Sequence, residues 1–162
     1  STIPDRLIEN NTIDYPTLLN GNLISTQTIL GKRECFKNIA FDESLPRFQD
    51  WDLVLRLSQK YKIIFQNSIF VTQFLQKDSI SKNYYKAVEG LKIIYSKYYT
   101  ENNNKDSNFY YWNLLGTCQY QIKDPAAPKS FIKAFKYNKT LKSLIKIILC
   151  KVHLLNFFVQ VK

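Results

Sequence analysis

FDESLPRFQDWDLVLRLSQKY, residues 41–61, changes character at its midpoint. The first half is polar, acidic and turn-prone, and Pro46 is incompatible with a helix running through it. The second half is an amphipathic helix. Leu53, Val54, Leu57 and Tyr61 recur at helical spacing, with Arg56 and Lys60 on the opposite side. Asp50 and Asp52 stand where the loop passes into that helix, a place where backbone N–H groups and the helix dipole favour negative charge. A carboxylate there has two uses. It can cap the helix, the commonest job of an Asp before an apolar helical run. Facing a cleft, it can instead accept a proton from a hydroxyl.

The order of tokens around this stretch adds to that choice. FDESLPRFQDWDLVLRLSQKYKI resembles the acid-base segment of family 2 glycosyltransferases, in which a phrase of the form FDE-L---(E/Q)DWDL-LRLA--Y carries the catalytic base. Upstream, NGNLISTQTILGKRECFKNIAFDE resembles the acceptor-side strand and loop of the same family. Downstream, KIIFQNSIFVTQFLQKDSIS resembles its closing strand and Ser-rich turn. The resembling block runs from Asp14 to Asn83, about half the chain.

The resemblance implies an inverting enzyme with a GT-A fold. Asp50 would be the general base that deprotonates an acceptor hydroxyl for attack on a nucleotide sugar. Ser25, Thr26, Gln49, Trp51 and Asp52 would then lie on the acceptor side. Gln49 stands where many relatives carry Glu. The donor would be a nucleotide sugar and the acceptor a saccharide or lipid-linked saccharide, as in polysaccharide biosynthesis. The complete enzyme would use a divalent cation, Mg²⁺ or Mn²⁺. Asp50-Trp51-Asp52 is formally an Asp-x-Asp triplet, but a metal-binding triplet closes an apolar strand. Here Pro46-Arg47-Phe48-Gln49 precedes it and a helix follows, so no metal ligand is expected in this chain. For Trp51 the bland alternative is core packing, and for Asp52 support of the helix N-terminus.

Bulk properties set bounds. A chain of 162 residues is one domain or slightly more, long enough for a real core. Hydrophobic content of 45% with 15% aromatic residues is globular. The net charge of +10 points to an acidic partner. It rests mainly on lysine, with arginine only at Arg6, Arg33, Arg47 and Arg56, so a nucleic-acid reader is disfavoured. Cys35, Cys118 and Cys150 are far apart and odd in number, which suits a reducing cytoplasm better than a disulfide framework or a zinc site. The absence of any Met and the lack of a glycine-rich phosphate loop suggest a piece of a larger enzyme.

Taken in order, Ser1–Asn22 is expected to be irregular and rich in turn formers. Leu23–Leu30 mixes β-branched and polar residues as a half-buried strand does, and Arg33–Ile39 is expected to form a short helix with Phe36 and Ile39 inward. On spacing alone, Ser25 and Thr26 are ordinary strand-edge polarity. Lys62–Leu75 is expected to be strand interrupted by a turn at Gln66-Asn67-Ser68. Where the resemblance implies basic or His residues before the turn Ser79-Ile80-Ser81, this chain offers only Lys77.

From Asn83 onward the period is helical. Tyr84, Val88, Leu91, Tyr95 and Tyr98 form a packing seam, and Glu101–Asn108 is expected to be loop. Trp112, Leu115, Gly116, Ala127, Phe131 and Ala134 resemble a single tetratricopeptide-style helix pair, with the usual Tyr slot displaced to Tyr120 and Lys139 where Pro is typical. One such repeat makes a hairpin, not a solenoid.

The last segment, residues 140–162, alternates apolar positions with Lys142, Lys146 and Lys151. Charges at that density exclude a spanning helix. They leave a core-packing helix or a basic amphipathic helix on an anionic membrane. His153 has no ligand-spaced companion and is expected to be structural.

The expected architecture is therefore α+β and helix-rich. A partial GT-A (α/β) core with few short strands occupies residues 1–83, and a helical extension with a hairpin or bundle occupies 84–162. The expected location is cytoplasmic, free or peripheral at the inner face of the cell membrane. The competing expectation is a non-catalytic helical module that binds a protein or a membrane surface.

Overall fold

The structure is a computed structural model that describes residues 11–66, 68–69, 71–72, 83–100 and 104–152. It is α+β and helix-rich: among the described residues, seven α-helices accompany one two-stranded antiparallel sheet. The chain divides into two compact units, Ser1–Lys82 and Asn83–Lys162.

In the first unit, β1 (Thr12–Ile13) pairs with β2 (Ile63–Ile64), Thr12 opposite Ile64 and Ile13 opposite Ile63. The Phe65 N–H donates to the Asn11 carbonyl at 2.9 Å and extends the pairing by one step. Helix α1 (Tyr15–Leu19) follows at once, where an irregular segment was expected. Its start has a local cause. The Asp14 carboxylate accepts from the Thr17 N–H at 2.9 Å, and Pro16 sits in the first turn, where no N–H is needed.

The strand expected over Leu23–Leu30 is absent. Those residues are coil with a 3₁₀ turn at Thr26–Thr28, closed by the Thr28 hydroxyl donating to the Ser25 carbonyl at 2.8 Å. Helix α2 is confined to Arg33–Phe36, and Ile39 is buried beyond it. Of the residues expected as strand, described residues 65, 69, 71 and 72 are not strand, which leaves Ile63–Ile64 among the described ones. In the expected turn, the Ser68 N–H donates to the Gln66 carbonyl at 2.9 Å. Lys77 and Ser79-Ile80-Ser81 lie outside the described residues.

Helix α3 (Gln49–Ser58) is the core of this unit. Trp51, Asp52, Leu53, Val54, Leu55 and Leu57 are all buried, more of its circumference than a simple amphipathic face requires. Ile39, Leu53 and Leu57 form a cluster against which Ile29, Cys35, Phe36 and Ile63 pack. The Trp51 indole Nε1–H donates to the Leu18 carbonyl at 2.8 Å, tying α3 to α1.

One charge is held inside this packing. Asp52 is 0% exposed, and its Oδ2 accepts from Arg56 at 2.9 Å (Nε) and 2.6 Å (NH2). The same guanidinium donates to the Ala40 carbonyl at 2.7 Å, so it also pins the loop before α3.

The second unit is helical: α4 (Tyr84–Tyr98), α5 (Lys105–Gln121), α6 (Ala127–Tyr137) and α7 (Leu141–Lys151). Asn83, Asn104 and Thr140 each accept, through the side chain, an N–H from the first turn of α4, α5 and α7. The Asn104 cap starts α5 four residues before the expected end of the loop, so Lys105–Asn108 is helix.

The expected hairpin is α5 and α6, which pack most extensively, and α4 and α7 flank it in sequence and in contact. Inside it the Ser130 hydroxyl donates to Gln119 Oε1 at 2.6 Å, which satisfies both buried groups. No helix among the described residues is long and apolar enough to cross a membrane. His153 and the rest of 153–162 lie outside the described residues.

Two substitutions test this packing. A Cβ at Gly116 would meet three atoms of the buried Phe131 ring at 3.0–3.2 Å. The steric cost exceeds the backbone-entropy gain of leaving glycine, so Gly116→Ala lowers stability by about 1 kcal/mol. Urea denaturation reads the change, and a stabilised variant would contradict the close approach. Arg56→Ala strands the Asp52 carboxylate away from water and costs about 3 kcal/mol, more than Asp52→Asn, which leaves a cation that can reach solvent. The reverse ranking would show that the pair is not buried as described.

Candidate active site

The base expected from the sequence, Asp50, occupies the second position of α3. It is not the N-cap. That place belongs to Phe48, whose backbone is left-handed at φ 70° and ψ 26°. A non-glycine residue there costs about 1–3 kcal/mol, which the surrounding packing must offset. Phe48 is buried, its ring meets Trp51 edge-on at 5.9 Å, and the Arg47 guanidinium lies 5.0 Å from the ring centroid. The kink lets the chain enter α3 directly from the Pro46 turn.

The Asp50 carboxylate accepts from the Trp51 N–H at 2.8 Å, one of the first-turn donors a helix leaves open. The backbone N–H of Thr26 also bonds to it, so the 3₁₀ turn at Thr26–Thr28 is brought against the start of α3. These bonds and the Arg47 charge favour the ionised form. Burial opposes them and prevails, so the pKa lies above the ordinary Asp value of 3.8. The helix start does not simply keep the carboxylate ionised, as its position in the sequence suggested. It leaves a partly buried carboxylate with a raised affinity for protons, the direction a general base needs.

The other expected site residues divide into two groups. Ser25 is half-buried and Thr26 exposed, both in the turn that reaches Asp50. Gln49, half-buried, donates through Nε2 to the Leu45 carbonyl at 2.7 Å and so braces the same loop. Trp51 and Asp52 must be corrected. Both are 0% exposed, one in the core with its N–H on Leu18, the other clasped by Arg56. Neither offers a face to an acceptor. Phe48 and Arg47 are the additions. The first depends on a backbone conformation that no residue pattern announces, and the second on a through-space charge effect on Asp50.

The divalent cation implied by the resemblance does not fit here. Asp52 is buried and engaged by Arg56, so it cannot share a cation with Asp50. No group of three or more His, Cys, Asp or Glu able to hold a metal occurs among the described residues. No family model, no curated protein and no solved structure matches the chain.

The raised pKa of Asp50 has a stability signature. Folding disfavours its ionisation, so the native state loses stability as pH rises through 3.8 and beyond. Asp50→Asn lacks this loss. Thermal melts of both proteins from about pH 3 to about pH 7 should show the variant gaining steadily on the wild type. A difference that is flat with pH, or that moves the other way, contradicts the raised value.

Proposed function

We propose that this chain is the acceptor and base part of an inverting family 2 glycosyltransferase with a GT-A fold. Asp50 is its general base. One observation carries the proposal: a partly buried carboxylate with a raised pKa opens α3, and the polar Ser25–Thr28 turn folds against it. The FDESLPRFQDWDL phrase supports it from the sequence side.

In the proposed reaction the acceptor hydroxyl gives its proton to Asp50 as its oxygen attacks the anomeric carbon. The carbon–oxygen bond to the nucleoside diphosphate breaks, with inversion. Burial that raises proton affinity makes Asp50 the stronger base. The backbone donors from Trp51 and Thr26 hold the carboxylate in one orientation. Ser25 and Thr26 supply polar groups for acceptor hydroxyls. The nucleotide sugar and the cation would be held by other parts of the complete enzyme, and the acceptor would be a saccharide or lipid-linked saccharide, as the resemblance to polysaccharide-building transferases implies.

In the complete enzyme Asp50→Asn should lower kcat by about 10²-fold or more, with folding intact by circular dichroism. Sugar transfer at near-wild-type turnover in that variant would falsify the base assignment.

A specific observation also favours the alternative, a non-catalytic surface-binding module. On α7, Leu141, Leu144, Ile148 and Val152 are exposed and share one side at helical spacing. Lys142 and Lys151 are exposed on the same helix, an arrangement that suits an anionic membrane surface, while Lys146 is turned inward onto Asn113 Oδ1 at 2.8 Å. Vesicles containing anionic lipid should then retain the protein, and Ile148→Glu should release it. Equal retention of both proteins removes the membrane role.

A further inference from the structure

Three helices of the second unit enclose a cleft of about 110 Å³ that neither Asp50 nor the α7 surface involves. It is lined by Tyr95 from α4, Trp112 from α5, and Lys133, Lys136 and Tyr137 from α6. Its wall is built. Tyr95 lies 5.3 Å from Trp112 and 4.7 Å from Tyr111, and Tyr111 meets Trp112 edge-on at 5.1 Å. Lys133 Nζ sits 4.0 Å from the centre of the Trp112 ring, a cation–π contact that fixes an otherwise mobile ammonium at the mouth of the cleft. Lys136, three residues further along α6, stands on the same side of the helix.

We propose that this cleft binds a phosphate ester group. Of the five described residues lining it, two are cationic, two carry phenol hydroxyls and none is acidic. The volume suits a tetrahedral oxyanion better than a whole nucleotide. The Trp112 face is covered by Lys133 and is closed to a stacking base or sugar ring. The surrounding charge draws the same ligand. Between Lys129 and Lys151 the chain carries seven lysines and no Asp or Glu. Lys133, positioned by Trp112, and Lys136 would supply two charge-assisted hydrogen bonds, and Tyr95 and Tyr137 belong to the same lining. The phosphate can belong to a soluble sugar phosphate or to a lipid headgroup.

Isothermal titration of the full chain with inorganic phosphate and glucose 1-phosphate, and sedimentation with phosphatidylcholine vesicles with and without phosphatidic acid, test this. Saturable binding is expected, weakened about tenfold or more by Lys133→Gln and by Lys136→Gln. Lys129→Gln, exposed on α6 but outside the cleft, should bind as the wild type does. Trp112→Phe should weaken binding while the fold is retained by circular dichroism. Saturation by the soluble probes supports the site with a soluble source. Saturation by phosphatidic acid vesicles alone, with the same dependence on Lys133, supports it with a lipid source. An absence of saturable binding of every probe up to about 10 mM overturns the proposal. So does an equal loss in the Lys129 and Lys133 variants, which is non-specific attraction to the lysine-rich surface.

Discussion

The first unit depends on how far α3 is rotated about its own axis. Neighbouring residues on a helix point about 100° apart, so holding the Trp51 indole N–H and the Asp52 carboxylate each on its own partner fixes that rotation within narrow limits. Each buried group carries polar atoms that must be satisfied where it lies. The indole N–H meets the Leu18 carbonyl, and the carboxylate meets Arg56. Turning α3 would break both at once and leave a buried charge uncompensated, an expense of several kcal/mol. With this rotation, Asp50 comes to the border between core and solvent, where burial is deep enough to raise its pKa and shallow enough to leave it half-exposed. The electrostatics of the candidate base thus follow from the packing of the two residues after it.

The same unit shows where local sequence is informative and where it fails. Helix α3 was legible because ten residues give periodicity room to show itself, and α4 and the α5–α6 hairpin for the same reason. A two-residue strand and a five-residue helix offer no period at all, although Asp14 ahead of Pro16 was a start signal that composition alone obscured. Leu23–Leu30 had the residues of a strand, yet a strand is a pairing rather than a composition. The one pairing among the described residues joins β1 to β2 and leaves that segment to a 3₁₀ turn.

At the candidate site, Asp50 was identifiable by type and position, and the turn that touches it contains two of the residues expected beside it. What was hidden had tertiary causes. The Asp52–Arg56 spacing of four was visible as a helical ion-pair pattern, but its burial was not, and burial is what removes Asp52 from any contact with a ligand. The left-handed Phe48 was hidden for a different reason. A bulky aromatic is among the least expected residues there, and it persists because its side chain is packed against Trp51 and covered by Arg47.

The net charge of +10 read as one property of the chain is divided very unequally. Residues 1–82 hold ten Lys and Arg against nine Asp and Glu, and residues 83–162 hold thirteen Lys against four acids. In the near-neutral first unit, burial sets the direction of the Asp50 pKa, and Arg47 is the charge that opposes it. A second unit with a net charge nine units positive gains nothing for the fold from that excess, because like charges repel in the compact state. The excess is tolerated because the hairpin's stability comes from apolar contact at Phe131, Gly116 and the cluster with Ile147 and Cys150, not from charge. Two of these lysines are held by the helices themselves, Lys133 over the Trp112 ring and Lys146 on Asn113 Oδ1. All four arginines lie in the first unit, where the two that are described next to α3 brace protein groups, Arg56 on Asp52 and Arg47 on Phe48. Arginine's flat, multiply donating head is used for internal structure, and the positive charge of the second unit is carried by lysine alone.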